Sequence, residues 1–183
     1  GRQVLEDLES LFYVLYAGGD DLFVVGPWDQ MVTFALSLGQ AFEAYTCHRM
    51  TLSAGLIFVK PHFPTQHFAR LAQEAERDAK AAGRDRLAVF GRALPWTQAA
   101  RLIEMAQRWV GQIEEGRIPR SLIHDLGREA QGRVFTPTLY YTMVRRLRGF
   151  SQQERRAFAR EVLDNLSDLV VPVSYASLIT RKE

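Results

Sequence analysis

The residues with the clearest chemical potential are two adjacent aspartates, Asp20 and Asp21, which directly follow Gly18–Gly19. Two neighbouring carboxylates repel each other, and a divalent cation removes that cost. Their hard oxygens suit Mg²⁺ or Mn²⁺, and such an ion can bridge phosphate oxygens and assist attack by a sugar hydroxyl. Glycines allow a positive φ and let a ligand approach the backbone closely. The pattern therefore indicates a metal-dependent phosphoryl-transfer site on a nucleoside triphosphate.

The segments on either side decide between this site and a simpler alternative. Taken alone, the tetrapeptide is equally compatible with an ordinary type I′ turn that carries two solvated aspartates. However, Leu11–Tyr16 and Leu22–Val25 are apolar and rich in aromatic and β-branched residues, so they predict two strands of a β-hairpin. The acids then lie at a rigid hairpin tip, as metal-dependent phosphoryl transfer requires.

A second group of interest is the pair Lys80 and Arg84, which lies on either side of Gly83 in the stretch AKAAGRDRL. A lysine and an arginine beside a helix end could grip a triphosphate, the arginine with its fork and the lysine as a point charge. The alternative is a basic last turn that complements the helix dipole. From these residues alone the sequence favours this alternative.

The elements around these residues follow the order β–β–α–β–α–β. Apolar spacing predicts a helix from Asp29, as its cap, to about Tyr45. The remaining predicted elements are a strand at Met50–Lys60, a helix at Thr65–Ala82 that ends at Gly83, and a strand at Leu87–Phe90. This is most of a ferredoxin-like palm that lacks its first strand. Residues 1–10 could supply only the end of the missing first helix.

The pattern changes at Pro95, after which helical spacing dominates. Thr97 is expected to cap the first helix, and Ser151 with Glu154 has capping-box spacing. Pro172 is expected to end the helical run. The further predicted helices are Ser121–Gln131, Thr136–Arg148 and Ser151–Leu166. We therefore predict an α+β chain of two domains: a palm/cyclase domain at residues 1–94 and a small all-α helical bundle at residues 95–183.

Composition and charge restrict the class of protein. The chain has 183 residues, a net charge of +2, and a single cysteine, Cys47. It therefore has no internal disulfide framework and no multi-thiolate zinc site, which fits a reducing, cytoplasmic location. No apolar run approaches the roughly 20 residues that cross a bilayer, so no membrane contact is expected. Residues 1–94 carry a net charge of −2 and residues 95–183 one of +4, so the second half is the better candidate for contact with an acidic partner.

Four stretches carry a resemblance to a known family: YAGGDDLFVVGPWD, TLSAGLIFVKP, AKAAGRDRLAVFG with the LPW that follows, and RWVGQIEEGRIPRSLIHDL. The first three resemble the second palm domain of the large subunit of type III CRISPR effector complexes, Csm type. The fourth is similar to the helical domain that follows this palm. The resemblance covers essentially the whole chain. The AKAAGRDR segment also resembles the corresponding segment of diguanylate cyclases, a related palm family.

The resemblance implies a specific activity and specific roles. In that family the paired palms convert ATP into cyclic oligoadenylates when target RNA is bound. Asp20 matches the metal-ligating acid, and Asp21 matches the neighbour that supports the metal and the reacting hydroxyl. Gly18–Gly19 match the positions where the backbone meets the nucleotide. Lys80 and Arg84 match the phosphate-gripping pair of the cyclase relatives.

The resemblance also implies partners, and the departures from it suggest a limit. Guide RNA, target RNA and the other effector subunits are the expected partners, with the small subunit near the helical domain. Nothing here matches the family's nuclease domain, its first palm, or the first strand, which usually carries another metal-binding acid. We therefore expect this chain alone to bind nucleotide weakly and to turn over nothing. An assembly module without catalysis and a diguanylate-cyclase-like enzyme are the alternatives, and the helical tail argues against the second.

Overall fold

The first two strands form a hairpin by themselves. The computed structural model describes residues 11–60, 62–132 and 137–181, and in it β1 (Tyr13–Gly18) pairs antiparallel with β2 (Asp21–Val25). One extra residue in β1, between Val14 and Tyr16, makes a β-bulge that increases the local twist. The predicted hairpin is therefore confirmed, whereas the prediction for residues 1–10 lies outside the described residues.

A separate three-stranded sheet carries the order β3–β4–β5. Strand β3 (Ala54–Leu56) is parallel to β4 (Arg86–Val89), which is antiparallel to β5 (Arg92–Pro95). The predicted third strand, at Met50–Lys60, was too long, because only three of its residues pair with β4. The sequence did not predict β5, which follows a two-residue turn directly after β4.

Helices α1 (Trp28–Tyr45) and α2 (Thr65–Ala81) connect these strands. Helix α1 begins directly after Pro27, so Asp29 lies in its first turn and does not cap it as predicted. A residue in the first turn can still favour the helix, because its negative charge opposes the positive end of the dipole.

Helix α2 ends where the sequence predicts. The backbone N–H of Arg84 donates to the Ala79 carbonyl at 3.2 Å, and that of Gly83 donates to the Lys80 carbonyl at 3.4 Å. These two bonds form a Schellman motif with Gly83, at φ +125°, in the position that favours glycine. Gly83 is therefore the C-terminal stop of α2, as predicted.

Helix α2 packs directly on the three-stranded sheet. A Cβ atom on Gly55 of β3 would lie 2.3 Å from the Glu76 nitrogen and 2.6 Å from the Ala72 carbonyl oxygen, both on the backbone of α2. Only glycine permits this approach, because no side chain can shift to relieve a clash with backbone atoms.

An apolar groove of about 210 Å³ separates the hairpin from the three-stranded sheet. Its walls include the consecutive residues Leu22–Val25 on one side and Ala54–Val59 on the other, with α1 and α2 beneath. A pocket on a sheet face would touch only alternate residues of a strand, so consecutive residues mean that the groove runs along two strand edges. Among the described residues β2 pairs only with β1, and β3 only with β4. The described residues thus form a palm fold in which no strand joins the two sheets.

The second half of the chain is helical. Ser151 caps one of its helices with the predicted box: the Glu154 N–H donates to Ser151 Oγ at 3.2 Å, and the Ser151 N–H donates to Glu154 Oε2 at 2.6 Å. A short 3-10 turn spans Leu166–Asp168. The helices are α3 (Trp96–Glu114), α4 (Arg120–Gly132), α5 (Pro137–Arg146), α6 (Gln152–Asp164) and α7 (Val170–Ile179).

Two expectations for these helices were wrong. Helix α3 begins at Trp96, after Pro95, so Thr97 lies within its first turn and is not its cap. Pro172 does not end the helical run, because it is the third residue of α7. The first N–H groups of a helix have no partner within it, so proline is tolerated there. Helix α7 packs against α3 and α4.

The buried core is continuous from the three-stranded sheet into the helices. Leu94 of β5 and Ala99 of α3 lie in the same cluster as residues of α4, α6 and α7. The Trp96 ring lies against Gly39 of α1, and its Nε1 donates to the Leu52 carbonyl at 2.9 Å. The boundary predicted between residues 94 and 95 stays a prediction.

A polar cluster joins β5 to the end of the helical region. Arg92 donates to Asp168 Oδ1 from Nε at 3.0 Å and from Nη2 at 2.6 Å. Gln98 Nε2 donates to the other carboxylate oxygen, Oδ2, at 2.8 Å. Asp168 is only 8% exposed, so these bonds satisfy a carboxylate that would otherwise be costly to bury.

Candidate functional site

The tip of the hairpin is a two-residue turn that presents both aspartates to solvent. Gly18 and Asp21 form the last pair of the ladder, so Gly19 and Asp20 make the turn. Gly19 has φ +62°, whereas Asp20 is not among the residues with positive φ. A type I′ turn requires positive φ at both positions, and a type II′ turn requires it only at the first, where glycine is preferred. The turn therefore departs from the type I′ alternative, and both aspartates are exposed.

Lys80 lies near this tip, although it is 59 or more residues away along the chain. Its Nζ pairs with Glu76 Oε1 at 2.6 Å, one helical turn earlier on α2. The hydrogen bond and the charge of Glu76 raise the pKa of Lys80, and the charges of Asp21 and Asp20 raise it further. The structure therefore brings the predicted lysine into the electric field of the predicted acids, with its ammonium group charged at neutral pH.

Arg84 lies just beyond the end of α2, in an unusual stretch of backbone. Arg84 and Asp85 have φ values of +58° and +52°, which is uncommon for residues other than glycine. The Asp85 N–H donates to Ser53 Oγ at 3.1 Å, which ties this stretch to the loop before β3. The Arg84 side chain is exposed, and no ion pair joins it to the hairpin within the part of the chain described. Arg84 thus lies near Lys80 along the chain, but the structure does not link it to the acids.

The donor set at the tip suits a hard divalent ion that is also held by phosphate. Asp20 and Asp21 supply two carboxylates, and within the described residues no cluster of three or more histidine, cysteine, aspartate or glutamate side chains could hold a metal. Mg²⁺ typically uses one or two carboxylates, keeps several waters and takes further oxygens from substrate phosphates. The two aspartates therefore fit Mg²⁺ with a nucleotide better than they fit a fully protein-bound ion.

Glu76 is the residue of this site that sequence reasoning missed. It neutralises Lys80 through an (i, i+4) pair, and that spacing was visible in the sequence. An anionic phosphate placed between Lys80 and the hairpin would compete with Glu76 for the ammonium group. The pair therefore keeps the lysine positioned on α2 before a ligand binds.

The hairpin is attached to the rest of the chain by few side chains. The Phe12 ring, just before β1, stacks on Phe34 of α1 with centroids 4.5 Å apart, and Phe23 of β2 approaches Phe68 of α2 at 6.1 Å. By contrast, Tyr13 is 69% exposed and Tyr16 is 56% exposed. The helices thus hold the hairpin through a few aromatic contacts, whereas other side chains of the hairpin are exposed to solvent.

Comparison with protein families matches residues 2–88 to the family described as Cas10/Cmr2, second palm domain. The match contains the hairpin, Lys80 and Arg84. No described helix of this chain is both long enough and apolar enough to span a bilayer.

Curated relatives match about half of the chain. The CRISPR system single-strand-specific deoxyribonuclease Cas10/Csm1 (subtype III-A) of Thermococcus onnurineus is 44% identical over 82 residues, which is 45% of this chain and 11% of the relative. The protein of the same name from Mycobacterium tuberculosis is 31% identical over 113 residues, which is 60% of this chain and 14% of the relative. The chain thus spans only a small part of the length of these relatives.

Solved structures extend the likeness to most of the chain. A crystal structure of a Csm1–Csm4 cassette in complex with one ATP superposes with a TM-score of 0.66 at 25% identity, covering 92% of this chain and 26% of that one. A crystal structure of Csm1 from T. onnurineus gives a TM-score of 0.64 at 26% identity, covering 88% of this chain and 28% of that one. The likeness therefore includes the helices that follow the palm.

Proposed function

We propose that this chain, whose residues 2–88 match the Cas10/Cmr2 second palm domain, is part of the large subunit of a type III CRISPR effector complex. In this proposal it supplies one half of a composite site that makes cyclic oligoadenylates from ATP when target RNA is bound. The observation that carries the proposal is the exposed Asp20–Asp21 tip with Lys80 in its electric field. Carboxylates that attract a divalent ion and a cation that attracts phosphate are the two charges that nucleotide condensation needs.

The residues of the chain take distinct parts in this proposal. Asp20 and Asp21 would hold Mg²⁺ or Mn²⁺, which would supply Lewis-acid stabilisation of the phosphates. Gly19 leaves the turn without a side chain, so a nucleotide can approach its backbone. Lys80 neutralises the phosphate charge after exchanging Glu76 for the ligand, and Arg84 adds a second cation from the end of α2. A first palm and a strand beyond the described residues would complete the site, so the chain alone is proposed to be inactive.

A second candidate function is docking within the effector complex without catalysis. The observation that favours it is the exposure of large apolar side chains on the hairpin, where Val14 is 53% exposed and Leu22 is 50% exposed. Exposed apolar patches mark surfaces that other proteins cover. The two functions are compatible, since a surface next to the acids can join this palm to the other effector subunits, while guide RNA and target RNA lie in the same complex.

The decisive experiment uses the full large subunit in its assembled complex. We expect Asp20→Ala with Asp21→Ala to abolish the conversion of labelled ATP into cyclic oligoadenylates in Mg²⁺ or Mn²⁺, because the ion loses both carboxylates. Subunit assembly and RNA binding should be unchanged. Product formation at the unaltered rate would rule out the assigned site, and loss of assembly would favour the docking role.

A matched control is available in the same chain. Glu114 and Glu115 are also two adjacent, exposed carboxylates, at the end of α3, away from the hairpin. Replacing both with alanine removes the same charge, so cyclic oligoadenylate synthesis should continue. Incubating the 183-residue chain alone with labelled ATP and Mn²⁺ tests the composite site, because robust synthesis would contradict the need for a second palm. Synthesis of cyclic dinucleotide from GTP would instead favour a diguanylate-cyclase-like enzyme.

A further inference from the structure

A second cleft, of about 950 Å³, lies between the palm and the helical region. It is bordered by α2 and the β4–β5 turn on one side and by α4 and α7 on the other. None of the lining residues belongs to the hairpin, and neither Lys80 nor Arg84 is among them. The cleft is therefore separate from the site proposed for ATP condensation, and its volume is at the upper end of the range for small-molecule sites.

One wall of the cleft is an aromatic pair. The rings of Phe58 and Phe90 are stacked at 4.9 Å with an interplanar angle of 9°. Phe90 lies in the β4–β5 turn with φ +50°, and Gly91 follows with φ +74°. Such a turn favours asparagine or glycine at its first position, so a phenylalanine there is strained. The strained backbone holds a flat, half-buried ring at the cleft wall.

The opposite wall carries cations and hydroxyls. Arg120 is the first residue of α4, His124 lies one turn later, and Ser174 and Ser177 line the cleft from α7. Arg181, just after α7, completes this wall. The positive end of the α4 dipole adds to the attraction of an anion at Arg120.

The charge balance of the cleft is positive once its ion pairs are removed. Arg92 is paired with Asp168 at 2.6 Å, and Glu74 is paired with Arg70 at 2.9 Å. Neither Arg120 nor Arg181 has a carboxylate partner within the residues that the structure describes. The two positive charges of Arg120 and Arg181 outnumber the one remaining carboxylate of the lining, that of Asp78.

We propose that this cleft binds a mononucleotide, with the base against the Phe58–Phe90 pair and the phosphate between Arg120 and Arg181. Aromatic faces stack on any nucleobase, and arginine forks bind phosphate oxygens. Ser174 and Ser177 are placed to bind the ribose or the phosphate. The proposal does not depend on the metal site at Asp20 and Asp21.

Isothermal titration of the 183-residue chain with adenosine monophosphate tests this site. The titration is done with chelator present and with Asp20→Asn and Asp21→Asn in every protein, so that the hairpin cannot hold nucleotide through a metal. We expect saturable binding that Arg120→Ala weakens by at least roughly tenfold, since a charge-assisted hydrogen bond is lost. Arg101→Ala, which removes an exposed arginine outside the cleft, should leave the affinity unchanged.

The aromatic wall is tested separately. Phe90→Gly suits the left-handed backbone and removes only the ring, so we expect the affinity to fall by roughly tenfold while adenosine monophosphate still binds better than inorganic phosphate. If the melting temperature shows that this variant is unfolded, Phe58→Leu replaces it, because leucine keeps an apolar side chain without an aromatic face.

Three results would overturn the proposal. The first is that adenosine monophosphate shows no saturable binding up to about 10 mM. The second is binding that neither Arg120→Ala nor the aromatic variants weaken. The third is binding of a short single-stranded oligonucleotide by a chain that does not bind the mononucleotide. The Asp20 and Asp21 variants can lose ATP condensation without any change in the binding of adenosine monophosphate to the cleft. The two proposals therefore fail independently.

Discussion

The hairpin and the helical region of this chain are built in opposite ways. In the hairpin, Tyr16 is 56% exposed, and among the residues that the structure describes the two strands pair only with each other. In the helical region, Trp109 is 1% exposed. Its ring lies 5.2 Å from that of Phe158 in a tilted arrangement, and its Nε1 donates to Glu161 Oε2 at 3.4 Å. The residues proposed for chemistry are therefore carried by the less packed part, and the most buried residues lie in the other.

The difference indicates that the hairpin provides the ligand-binding residues and the rest of the chain provides the stable scaffold. Residues that act on a ligand have to be exposed and are often less stable than the scaffold behind them. The helical region and the three-stranded sheet share a single core, so they can serve as that scaffold. The hairpin is then expected to be less stable than this scaffold, and the stability of the chain should depend little on the exposed side chains of the hairpin.

The largest expected effect tests this contrast directly. We expect Trp109→Ala to lower the free energy of unfolding by about 3–5 kcal/mol, because it empties a large volume in the core. Tyr16→Ala, an aromatic truncation in the hairpin, should change it by no more than about 0.5 kcal/mol. Both are measured by denaturant unfolding followed by circular dichroism. Equal losses would show that the hairpin is as well packed as the core.

A pair of glycines tests the contact between α2 and the sheet. Gly55→Ala should destabilise the chain by about 1–3 kcal/mol, because the added Cβ meets backbone atoms of α2 at 2.3 Å. Gly111→Ala, within α3, meets nothing within 4 Å and should stabilise by about 0.5–1 kcal/mol through helix propensity. The melting temperatures of both variants show whether each substitution stabilises or destabilises the chain. If Gly55→Ala were neutral, the sheet would not constrain the helix that carries Lys80.

A smaller effect is expected for the cations beside the hairpin. Their replacement should weaken ATP binding and leave the stability of the chain unchanged. Lys80→Ala or Arg84→Ala should raise the ATP concentration needed for half-maximal cyclic oligoadenylate synthesis by roughly tenfold in the full complex. The melting temperature should hardly change, because Lys80 contributes only an exposed ion pair. Arg101→Ala serves as the exposed-arginine control. An unchanged ATP requirement would remove the phosphate-binding role.

The smallest effect concerns the pH dependence of the helical region. The backbone N–H of Ser151 lowers the pKa of Glu154 to about 2, with help from Arg117 at 2.8 Å and from the Ser151 hydroxyl. Because the folded-state pKa lies below the ordinary value, this contact stabilises above about pH 4.5 and the stabilisation is lost as the pH falls towards 2.

The measurement is the melting temperature between pH 6 and pH 2, which covers the window of about 4.5 to 2 set by the cited pKa. Glu154→Gln should flatten this part of the profile, and Glu114→Gln, an exposed control at the end of α3, should not. If the profiles of wild type and Glu154→Gln were parallel, the capping box would not be the source of the pH dependence.

Much of the fold was readable from the sequence because local signals agreed with it. The strand–GGDD–strand pattern predicted the hairpin, and Gly83 and Ser151 marked a helix end and a helix start. Strand β5 was missed because its four residues have no period long enough to recognise. Helix α7 was missed because Pro172 and β-branched residues argue locally against a helix, whereas burial of Val171 and Ala176 against α3 and α4 overrides that preference.

The candidate site was predictable to a lesser degree. The acids followed from residue type and spacing, and Lys80 followed only from the resemblance, since no local pattern relates residue 80 to residue 20. The proximity of Lys80 to the two aspartates depends on how α2 crosses the sheet, and that crossing depends on Gly55. The roles of Asp20, Asp21, Lys80 and Arg84 all stay predictions. Within the described residues no ion pair joins Arg84 to the hairpin.

The apolar groove between β2 and β3 has a consequence for the behaviour of the chain in solution. Within the described parts of the chain, its two strand edges carry backbone donors and acceptors without strand partners, and its lining offers little charge to repel an incoming segment. Natural sheets usually protect such edges, because an open edge accepts extended segments from other molecules. The isolated chain should therefore self-associate increasingly with concentration, through backbone pairing and not through its charged surfaces, so added salt should do little to disperse it.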